Sequence, residues 1–447
     1  MATPLSKLNR LQPAFAAATA VLLLATASYA GRHSPGAIPA ERAEVEPSAS
    51  ARFRCELRPF DLSKGLYCFG PAAIRAAYGV DGLLGSGFSG AGQTIVILDA
   101  FGSPFAESDL KLFDKTFGLP DPSFTQIIMP GTPPFDPKNA NVVGWTGEIA
   151  LDTQWSHAMA PAANIILVAA KSDSDQDLTD ALNFALDNHL GSVVSMSFGE
   201  SESFLANPDG LDIVEAWTDA FQKARRQHVT LFVSSGDQGS DTQGQGFQSV
   251  SWPASSPLVT GVGGTNLRFG TATAAAPPPT GVYRSETVWN DGFGAGGGGM
   301  SILIRAPDFQ SDNLPRSVNH LLHGHRGVPD VAYNGGVVGG VIAAWAAPFG
   351  PGAFFIFGGT SAGAPQWSGI VADISQARGK PLGFLNQRLY KLGSQGALNN
   401  IFHDITTGDN SFGFVPGFAA TPGYDLSTGW GTPSFGKLGA ILSDPDE

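Results

Sequence analysis

The sequence predicts an α/β fold in which a parallel β-sheet is flanked by helices. Short apolar runs rich in β-branched residues recur along the chain, and because none alternates with polar residues, each is expected to be a strand buried on both faces. These runs span Gln93–Asp99, Asn164–Ala169, Ser192–Met196 and Val229–Val233. Helical patterns lie between them, over Asp177–Asn188 and Gly210–Gln227. Strands that alternate with helices in this way are typical of a parallel sheet.

Composition narrows the class of protein. The chain has 447 residues, of which 43% are hydrophobic and 15% charged, so it can bury a large core. Its 57 glycines and 32 prolines indicate many turns and loops, which suits an enzyme whose site is built from loops. The net charge of -13 argues against nucleic acid as a partner, because phosphate binding needs clustered Lys and Arg. We expect a soluble monomer.

The first thirty residues predict a signal peptide. A start with Lys7 and Arg10 is followed by an apolar run over 14–27 and a small-x-small cleavage signal at 28–30. The alternative is an uncleaved anchor, but the apolar run is shorter than the roughly 20 residues that span a bilayer. No later segment is predicted to cross a membrane. The protein is therefore expected to be secreted, without membrane contact after cleavage.

The next segment differs in composition from the rest of the chain. Residues 31–54 are rich in Pro, Ala, Ser and Glu without periodicity, which predicts a flexible leader. One folded domain is predicted from residue 55 to residue 447. Cys55 and Cys68 are the only cysteines, and in an exported chain such a pair favours a disulfide, with two free thiols as the alternative.

Ser361 is the strongest candidate for a nucleophile. It lies in the stretch FGGTSAGAP at 357–365, directly before a helical pattern over Gln366–Ala377. A serine between small residues at a loop-to-helix junction is expected to expose its hydroxyl, and the helix N-terminus favours developing negative charge. The alternative is that Thr360 or Ser361 only caps the helix.

Two carboxylates provide a candidate base. Glu148 and Asp152 are four residues apart in a helix-compatible run, so they share one face and their charges repel, which predicts a raised pKa for one of them. His157 lies nine residues from Glu148, about half a turn away around the same helix, and points elsewhere. A solvated acidic face is the alternative, although the flanking residues are apolar.

Asp237 is a third acidic candidate. It follows the Val229–Val233 strand in the stretch SSGDQG at 234–239. Ligands of α/β proteins gather at the carboxyl ends of the strands, so a carboxyl group in this turn is well placed for a site. An ordinary turn aspartate is the alternative.

Taken together, the motifs resemble those of the sedolisin (serine-carboxyl peptidase) family. The matching stretches follow the order of that family over about residues 70–440: GEIALD at 147–152, SSGDQG at 234–239, WPASSPLVTGVGGT at 252–265, GGGGMS at 296–301, RGVPDVAYNGG at 326–336, GGTSAGAPQW at 358–367, HDITTGDN at 403–410 and GYDLSTGWGTP at 423–433.

The resemblance implies a subtilisin-like α/β fold with a single catalytic domain and a Ser-Glu-Asp catalytic set. Ser361 would be the nucleophile, Glu148 the general base and later acid, Asp152 its hydrogen-bonding supporter and Asp237 the oxyanion-hole residue. Asp99, which ends the first strand, is expected to support this acid network.

The resemblance also implies one structural Ca²⁺ ion near the C-terminus. Asp404 and Asp425 would supply carboxylates, and Ile405, Thr421 and Gly423 would supply backbone carbonyls. Such hard oxygen ligands suit Ca²⁺. Thr421 stands where a glycine is expected, a change that leaves a carbonyl ligand available.

One departure concerns the N-terminal side. Members of the family carry a large folded prodomain, whereas only about 40 residues separate Ala30 from the start of the match. We therefore expect a catalytic domain without the usual prodomain, with its route of folding and activation open.

The expected function is acid endopeptidase action on proteins or peptides. The alternatives are a tripeptidyl aminopeptidase of the same family, an inactive secreted binding module, and an ordinary subtilisin built on Asp99, a histidine and Ser361. The four intact site residues argue against the binding module, and no histidine stands at the position of Glu148.

Overall fold

The computed structural model describes residues 33–45, 52–57, 65–269, 283–395 and 400–444. The predicted signal peptide at 1–30 lies outside the described residues. Among the described residues, no helix is both long and apolar enough to cross a bilayer.

The strands are β1 Ser34–Pro35, β2 Ile38–Arg42, β3 Cys68–Phe69, β4 Thr94–Ala100, β5 Phe124–Ile128, β6 Asn164–Ala170, β7 Val193–Met196, β8 Phe198–Ser201, β9 Thr230–Ser234, β10 Ser251–Trp252, β11 Thr260–Phe269, β12 Tyr283–Val288, β13 Gly299–Arg305, β14 His325–Val328, β15 Val331–Asn334, β16 Gly340–Ala344, β17 Phe354–Gly358, β18 Phe402–His403 and β19 Thr432–Pro433.

The α-helices are α1 Pro71–Tyr78, α2 Asp81–Gly85, α3 Ala106–Phe117, α4 Ala140–Met159, α5 Asp175–Asp187, α6 Glu202–Leu205, α7 Pro208–Arg226, α8 Asp308–Ser311, α9 Arg316–Leu322, α10 Gly363–Arg378, α11 Asn386–Ser394 and α12 Phe435–Leu442. Short 3₁₀ turns cover Arg54–Leu57 and Thr360–Ala362.

The main sheet has the order β12-β11-β9-β7-β4-β6-β5, with β15 also paired to β11. In this order, β11, β9, β7, β4, β6 and β5 run parallel to one another. Strand β12 pairs antiparallel with β11 at the edge of the sheet. All four strands predicted from apolar runs lie in this sheet, and the helices predicted between them are α5 and α7. The prediction of a parallel sheet flanked by helices is confirmed.

Helices cover both faces of the sheet, which explains why its strands read as continuous apolar runs. On one face, Trp217 of α7 and Leu182 of α5 pack with Val96 and Val194. On the other face, Ile149 of α4 and Ala372 of α10 pack on neighbouring strands. The carboxyl ends of the parallel strands, the N-terminal half of α4 and the start of α10 therefore meet at one side of the domain.

The helix that carries Glu148 and Asp152 is buried along most of its length. Asn139 caps the N-terminus of helix α4, because its side-chain oxygen accepts hydrogen bonds from the N–H groups of Asn141 and Val142 at 3.1 and 3.4 Å. Such a cap satisfies N–H groups that would otherwise lack partners. Because residues 145–159 are all buried, the two carboxylates are held inside the protein and not on a solvated face.

The prediction of a flexible leader over 31–54 is wrong for residues 33–45. Strand β1 pairs antiparallel with β8, and β2 pairs antiparallel with β17. These pairings use backbone groups, so a Pro-rich and Ala-rich segment without a side-chain pattern can still form strands. The predicted disulfide is present, since Cys55 and Cys68 are bonded.

Candidate active site

Ser361 lies at the junction between strand β17 and helix α10. Gly359 connects them with a φ of 112°, a conformation that favours glycine, and Ser361 occupies the following 3₁₀ turn. The predicted loop-to-helix position is therefore observed. The expected exposure is not, because the Ser361 side chain is buried. Residues 36 and 37 of the same chain cover it, and a Cβ added to Gly36 would collide with the Ser361 hydroxyl oxygen.

Glu148 and Asp152 lie one turn apart on α4, with 0% of each residue exposed. Burial and the charge of nearby Asp99 hold the pKa of Glu148 well above its usual range, opposed by the Ala37 N–H and the Ser361 hydroxyl. Burial, together with Asp99 and Glu148, likewise raises the pKa of Asp152. Within the described residues, Glu148 Oε1 and both oxygens of Asp152 lack a well-aligned hydrogen bond. The group is therefore a desolvated acid cluster, in which burial and mutual repulsion make the carboxyl groups harder to ionise than free ones.

Asp99, at the end of β4, belongs to this cluster. It is fully buried, and burial raises its pKa to about 8. Its charge acts on both Glu148 and Asp152. The predicted association of Asp99 with the two acids of α4 is therefore present in the structure.

Asp237 follows β9 and faces the Ser361 turn. Its Oδ1 accepts hydrogen bonds from the Thr360 N–H at 2.7 Å and from the Thr360 hydroxyl at 2.8 Å. Its Oδ2 is shielded from solvent and has no partner among the described residues. Burial raises the pKa of Asp237 to about 7, although the bonds from Thr360 oppose the shift. A protonated Oδ2 can donate a hydrogen bond to an oxygen placed beside it.

The structure thus brings together every residue predicted for the catalytic set. Ser361 Oγ lies 3.5 Å from the carbonyl oxygen of Ser197 and within reach of Glu148. His157 points away, as predicted, because its Nε2 lies 2.8 Å from the Pro120 carbonyl oxygen.

Sequence reasoning missed two contributors to the site. The Ser197 hydroxyl lowers the pKa of Asp152, and Thr360 positions Asp237. Thr360 adjoins Ser361, but its partner lies 123 positions away in the chain. No local pattern connects the two.

A segment of the chain itself lies across the site. Strand β1 pairs with β8 on one side of Ser361, with Pro35 opposite Phe198, and β2 pairs with β17 on the other side. Between them, the Ala37 N–H donates a 2.6 Å hydrogen bond to Glu148 Oε2. A Cβ added to Gly359 would collide with the carbonyl oxygen of Gly36 and would lie 2.9 Å from Asp237 Oδ2. The Gly36–Ala37 peptide therefore lies between the nucleophile candidate, Glu148 and Asp237.

Asp404 and Asp425, the two carboxylates predicted to bind Ca²⁺, both accept hydrogen bonds from the backbone of the 421–423 loop. The Gly423 N–H lies 3.0 and 3.2 Å from the two carboxylate oxygens of Asp404, and the Thr421 N–H donates to Asp425 at 3.0 Å. Burial raises the pKa of Asp425 to about 6, although hydrogen bonds from the backbone and from Thr428 oppose the shift. Two carboxylates beside one stretch of loop backbone form a donor set that fits a hard cation.

Comparison with known proteins places this fold and site in a class. The Subtilase family model matches residues 142–391, which is more than half of the chain and includes Glu148, Asp152, Asp237 and Ser361. The chain is 35% identical to kumamolisin from Bacillus sp. (strain MN-32) over 78% of its own length and 59% of that protein. It is 32% identical to sedolisin from Pseudomonas sp. (strain 101), covering 79% of this chain and 58% of that one.

A solved structure agrees with these matches. Pseudomonas sedolisin, a serine-carboxyl proteinase complexed with two molecules of pseudo-iodotyrostatin, superimposes with a TM-score of 0.71 at 28% identity, covering 85% of this chain and 99% of that chain. The fold class is therefore that of the subtilases. Within this class the chain belongs to the sedolisin family. It spans a little under three fifths of the length of the first two curated relatives.

Proposed function

We propose that the chain is a serine-carboxyl peptidase that hydrolyses peptide bonds through an acyl-enzyme on Ser361. The observation that carries the proposal is the assembly of Ser361, Glu148 and Asp237 around one peptide group of the chain itself. A nucleophile, a proton acceptor and a hydrogen-bond donor are the three groups that acyl transfer requires.

In this mechanism Glu148 takes the proton of Ser361 as the hydroxyl oxygen attacks the carbonyl carbon of the substrate. Protonated Asp237 donates to the oxyanion from Oδ2, while Thr360 fixes its other oxygen. Glu148 then gives its proton to the leaving nitrogen, and a water molecule hydrolyses the ester by the same steps in reverse. Asp152 and Asp99 hold protons in the cluster and keep Glu148 able to cycle between its two forms.

The mechanism implies that the enzyme is active at acidic pH. An ionised carboxylate only accepts hydrogen bonds, so Asp237 can assist only while protonated. Its pKa of about 7 sets the upper limit of the active range. Secretion, expected from residues 1–30, would suit such an enzyme.

The path of residues 33–37 of the chain through the cleft favours endopeptidase action. Some relatives bear the name tripeptidyl-peptidase 1, including one from Rattus norvegicus that is 29% identical over 89% of this chain and 69% of its own. An enzyme that releases tripeptides must have a cleft that is closed beyond the third substrate residue on the N-terminal side of the cut bond. Here His33, the fourth residue before the Gly36–Ala37 bond, is also held in the cleft, in a buried pocket.

We also propose that the protein binds one structural Ca²⁺ ion. Asp404 and Asp425 would hold it together with the backbone carbonyls of Ile405, Thr421 and Gly423. The ion would supply positive charge to two carboxylates and thereby stabilise the C-terminal loops. It has no part in the catalytic steps above.

The test is a cleavage profile on a mixed pool of peptides between about pH 3 and pH 8, a range that brackets the ordinary carboxyl pKa and the raised pKa of Asp237. Internal cuts that disappear in Ser361→Ala, but persist in the exposed control Ser108→Ala, support the proposal. Release of tripeptides alone would support the aminopeptidase instead, and hydrolysis by folded Ser361→Ala would contradict the assignment of the nucleophile.

A further inference from the structure

Strand β1 marks the path that a substrate backbone would follow on the N-terminal side of the cut bond. It pairs antiparallel with β8 and leads to Gly36 beside Ser361. His33 comes directly before this strand, and its N–H donates a 3.0 Å hydrogen bond to the carbonyl oxygen of Asp173. Any peptide can make such backbone contacts, so the side chain at this position is free to be chosen by the surface that it meets.

The side chain at this position enters a buried pocket outside the catalytic set. His33 is 1% exposed, and its Nε2 lies 2.8 Å from Asp175 Oδ1. Glu200 Oε1 is 4.0 Å from the same nitrogen. The rings of Phe198 and Trp217 contact the imidazole at centroid distances of 5.1 and 6.2 Å, with the ring planes steeply inclined. The pocket therefore combines two carboxylates with an aromatic enclosure of the size of one imidazole.

The walls of the pocket belong to regular elements of the domain. Asp175 lies in the first turn of α5, Glu200 lies on β8 and Trp217 lies on α7. The Trp217 Nε1–H donates a 2.8 Å hydrogen bond to Asp175 Oδ1, the atom that also faces His33. This bond holds the carboxylate in position independently of the side chain that occupies the pocket.

The two carboxylates obtain their positive charge from the occupant. Within the parts of the chain that the structure describes, the ion pairs of Asp175 and Glu200 are both with His33. Neither oxygen of Glu200 accepts a hydrogen bond from these residues. A buried charge without a partner is strongly destabilising, so an apolar or acidic occupant would leave the pocket in an unfavourable state.

The pKa shifts agree with a cationic occupant. Burial lowers the pKa of His33, but Asp175, Glu200 and Asp173 outweigh that effect, and the net shift is upward. Burial alone would raise the pKa of Asp175, yet His33 and the hydrogen bonds hold it at about 2. Burial raises the pKa of Glu200 to about 8. At acidic pH the pocket then contains one imidazolium, one carboxylate and one neutral carboxyl group, and its charges balance.

A metal ion is the alternative occupant. His33, Asp175 and Glu200 have the ligand types of a metal site, with ligand atoms all within 4.8 Å of one another. However, Nε2 of His33 and Oδ1 of Asp175 lie 2.8 Å apart, which is the distance of a direct hydrogen bond. We therefore interpret the contact as an ion pair.

We propose that the pocket of Asp175, Glu200 and Trp217 is a specificity site, which selects a cationic side chain of the size of histidine at the fourth position before the cut bond. This inference rests on the proposed function and adds the class of substrate. It concerns separate peptides and proteins that enter the cleft along the path of β1.

The test compares peptides on the wild-type protein. One peptide that the mixed pool shows to be cut internally is remade with His, thienylalanine, Leu or Glu at the fourth position before its cut bond. Thienylalanine has a five-membered ring of similar size without a charge. At about pH 5, where imidazole is protonated, kcat/KM of the His peptide should exceed each of the others by about tenfold or more, as expected for a buried hydrogen bond between charged groups.

These ratios are independent of the state of the cleft. Residues 33–42 of the chain compete with all four peptides to the same extent, and a partly unfolded preparation lowers every rate by the same factor. Equal values of kcat/KM would overturn the specificity site. Failure to cut any peptide would instead contradict the proposed function.

A pH series separates charge from shape. The ratio of the His peptide to the thienylalanine peptide removes the titration of the catalytic groups, because both peptides use the same groups. This ratio should fall as the pH rises above about 6.5, where free imidazole loses its proton. A constant ratio would show that the pocket recognises the ring and not its charge, which would overturn the proposal. A ratio that collapses in chelator would assign the pocket to a metal ion and overturn it as well.

A variant locates the preference in the pocket. Asp175→Asn keeps an oxygen for the Trp217 N–H but lacks the negative charge, so the His peptide should lose its advantage of about tenfold. Asp180→Asn makes the same change at an exposed position of α5 and should keep that advantage. An unchanged preference in folded Asp175→Asn would contradict the assignment of the site.

Discussion

The Ala37 N–H donates a 2.6 Å hydrogen bond to Oε2 of Glu148. In a peptidase, this is the contact between a leaving-group nitrogen and the acid that protonates it. Glu148 can serve first as base and then as acid only if it gains and loses a proton readily. Its raised pKa, which burial and Asp99 produce, is consistent with both roles.

Glu148→Gln should reduce kcat by about 10³-fold or more, because an amide cannot take the proton of Ser361. Asp152→Asn should cost less, since Asp152 acts through Glu148 and an asparagine preserves much of the packing. The measurement is kcat and KM on one peptide, with circular dichroism as a control for folding. Equal losses in the two variants would contradict the division of roles.

Asp237→Asn tests the protonated donor. The amide oxygen can keep both hydrogen bonds from Thr360, which places the NH₂ group where Oδ2 stands. Wild type should lose activity as the pH rises through about 7, whereas the alkaline limb of Asp237→Asn should lie higher. Asp237→Ala should lose about 10²- to 10³-fold relative to wild type below about pH 7, where the wild type keeps its donor. If Asn and Ala are equally inactive while folded, the donor role is wrong.

The stability of the fold should depend on pH in the direction set by the acid cluster. The pKa of Asp99 is raised from 3.8 to about 8, so the folded state binds its proton more tightly than the unfolded state. This contribution is fully present below about pH 4 and is lost as the pH rises through about 8. Urea denaturation of Ser361→Ala, which avoids self-digestion, should show a falling midpoint over this range, and Asp99→Asn should flatten the curve. A midpoint that rises with pH would show that the acid cluster does not govern the pH dependence of stability.

Calcium should stabilise the protein through the C-terminal loops. A ligand that binds only the native state raises stability by mass action, so chelation should lower Tm and added Ca²⁺ should restore it. Asp404→Ala should have the same lowered Tm as chelated wild type, and neither chelator nor added Ca²⁺ should change it. The exposed control Asp444→Ala should respond as wild type. An identical melting curve in chelator and in excess Ca²⁺ would remove the ion from the proposal.

Much of the scaffold could be predicted because its signals are local. Buried parallel strands require apolar residues on both faces, which makes Thr94–Ala100 and Thr230–Ser234 conspicuous. Glu148 and Asp152 are equally conspicuous, because two acids at helical spacing between apolar neighbours do not fit a solvated helix face.

The path of residues 33–42 could not be predicted in this way. The pairings of these residues use backbone groups of β8 and β17, which lie far along the chain, and leave no periodic pattern. The contacts of His33 could not be predicted either, because Asp175 and Glu200 are both distant from it in the sequence.

The pairing of β2 with β17 has a consequence for competition in the cleft. Strand β2, Ile38–Arg42, pairs with β17 beside Ser361, where substrate residues that follow the cut bond would lie, and it is covalently joined to the domain. A tethered strand of this kind competes at an effective concentration that is in the millimolar range for short flexible connections. Substrate residues that follow the cut bond would have to displace this strand. The free energy needed to displace it would raise the apparent KM of the enzyme.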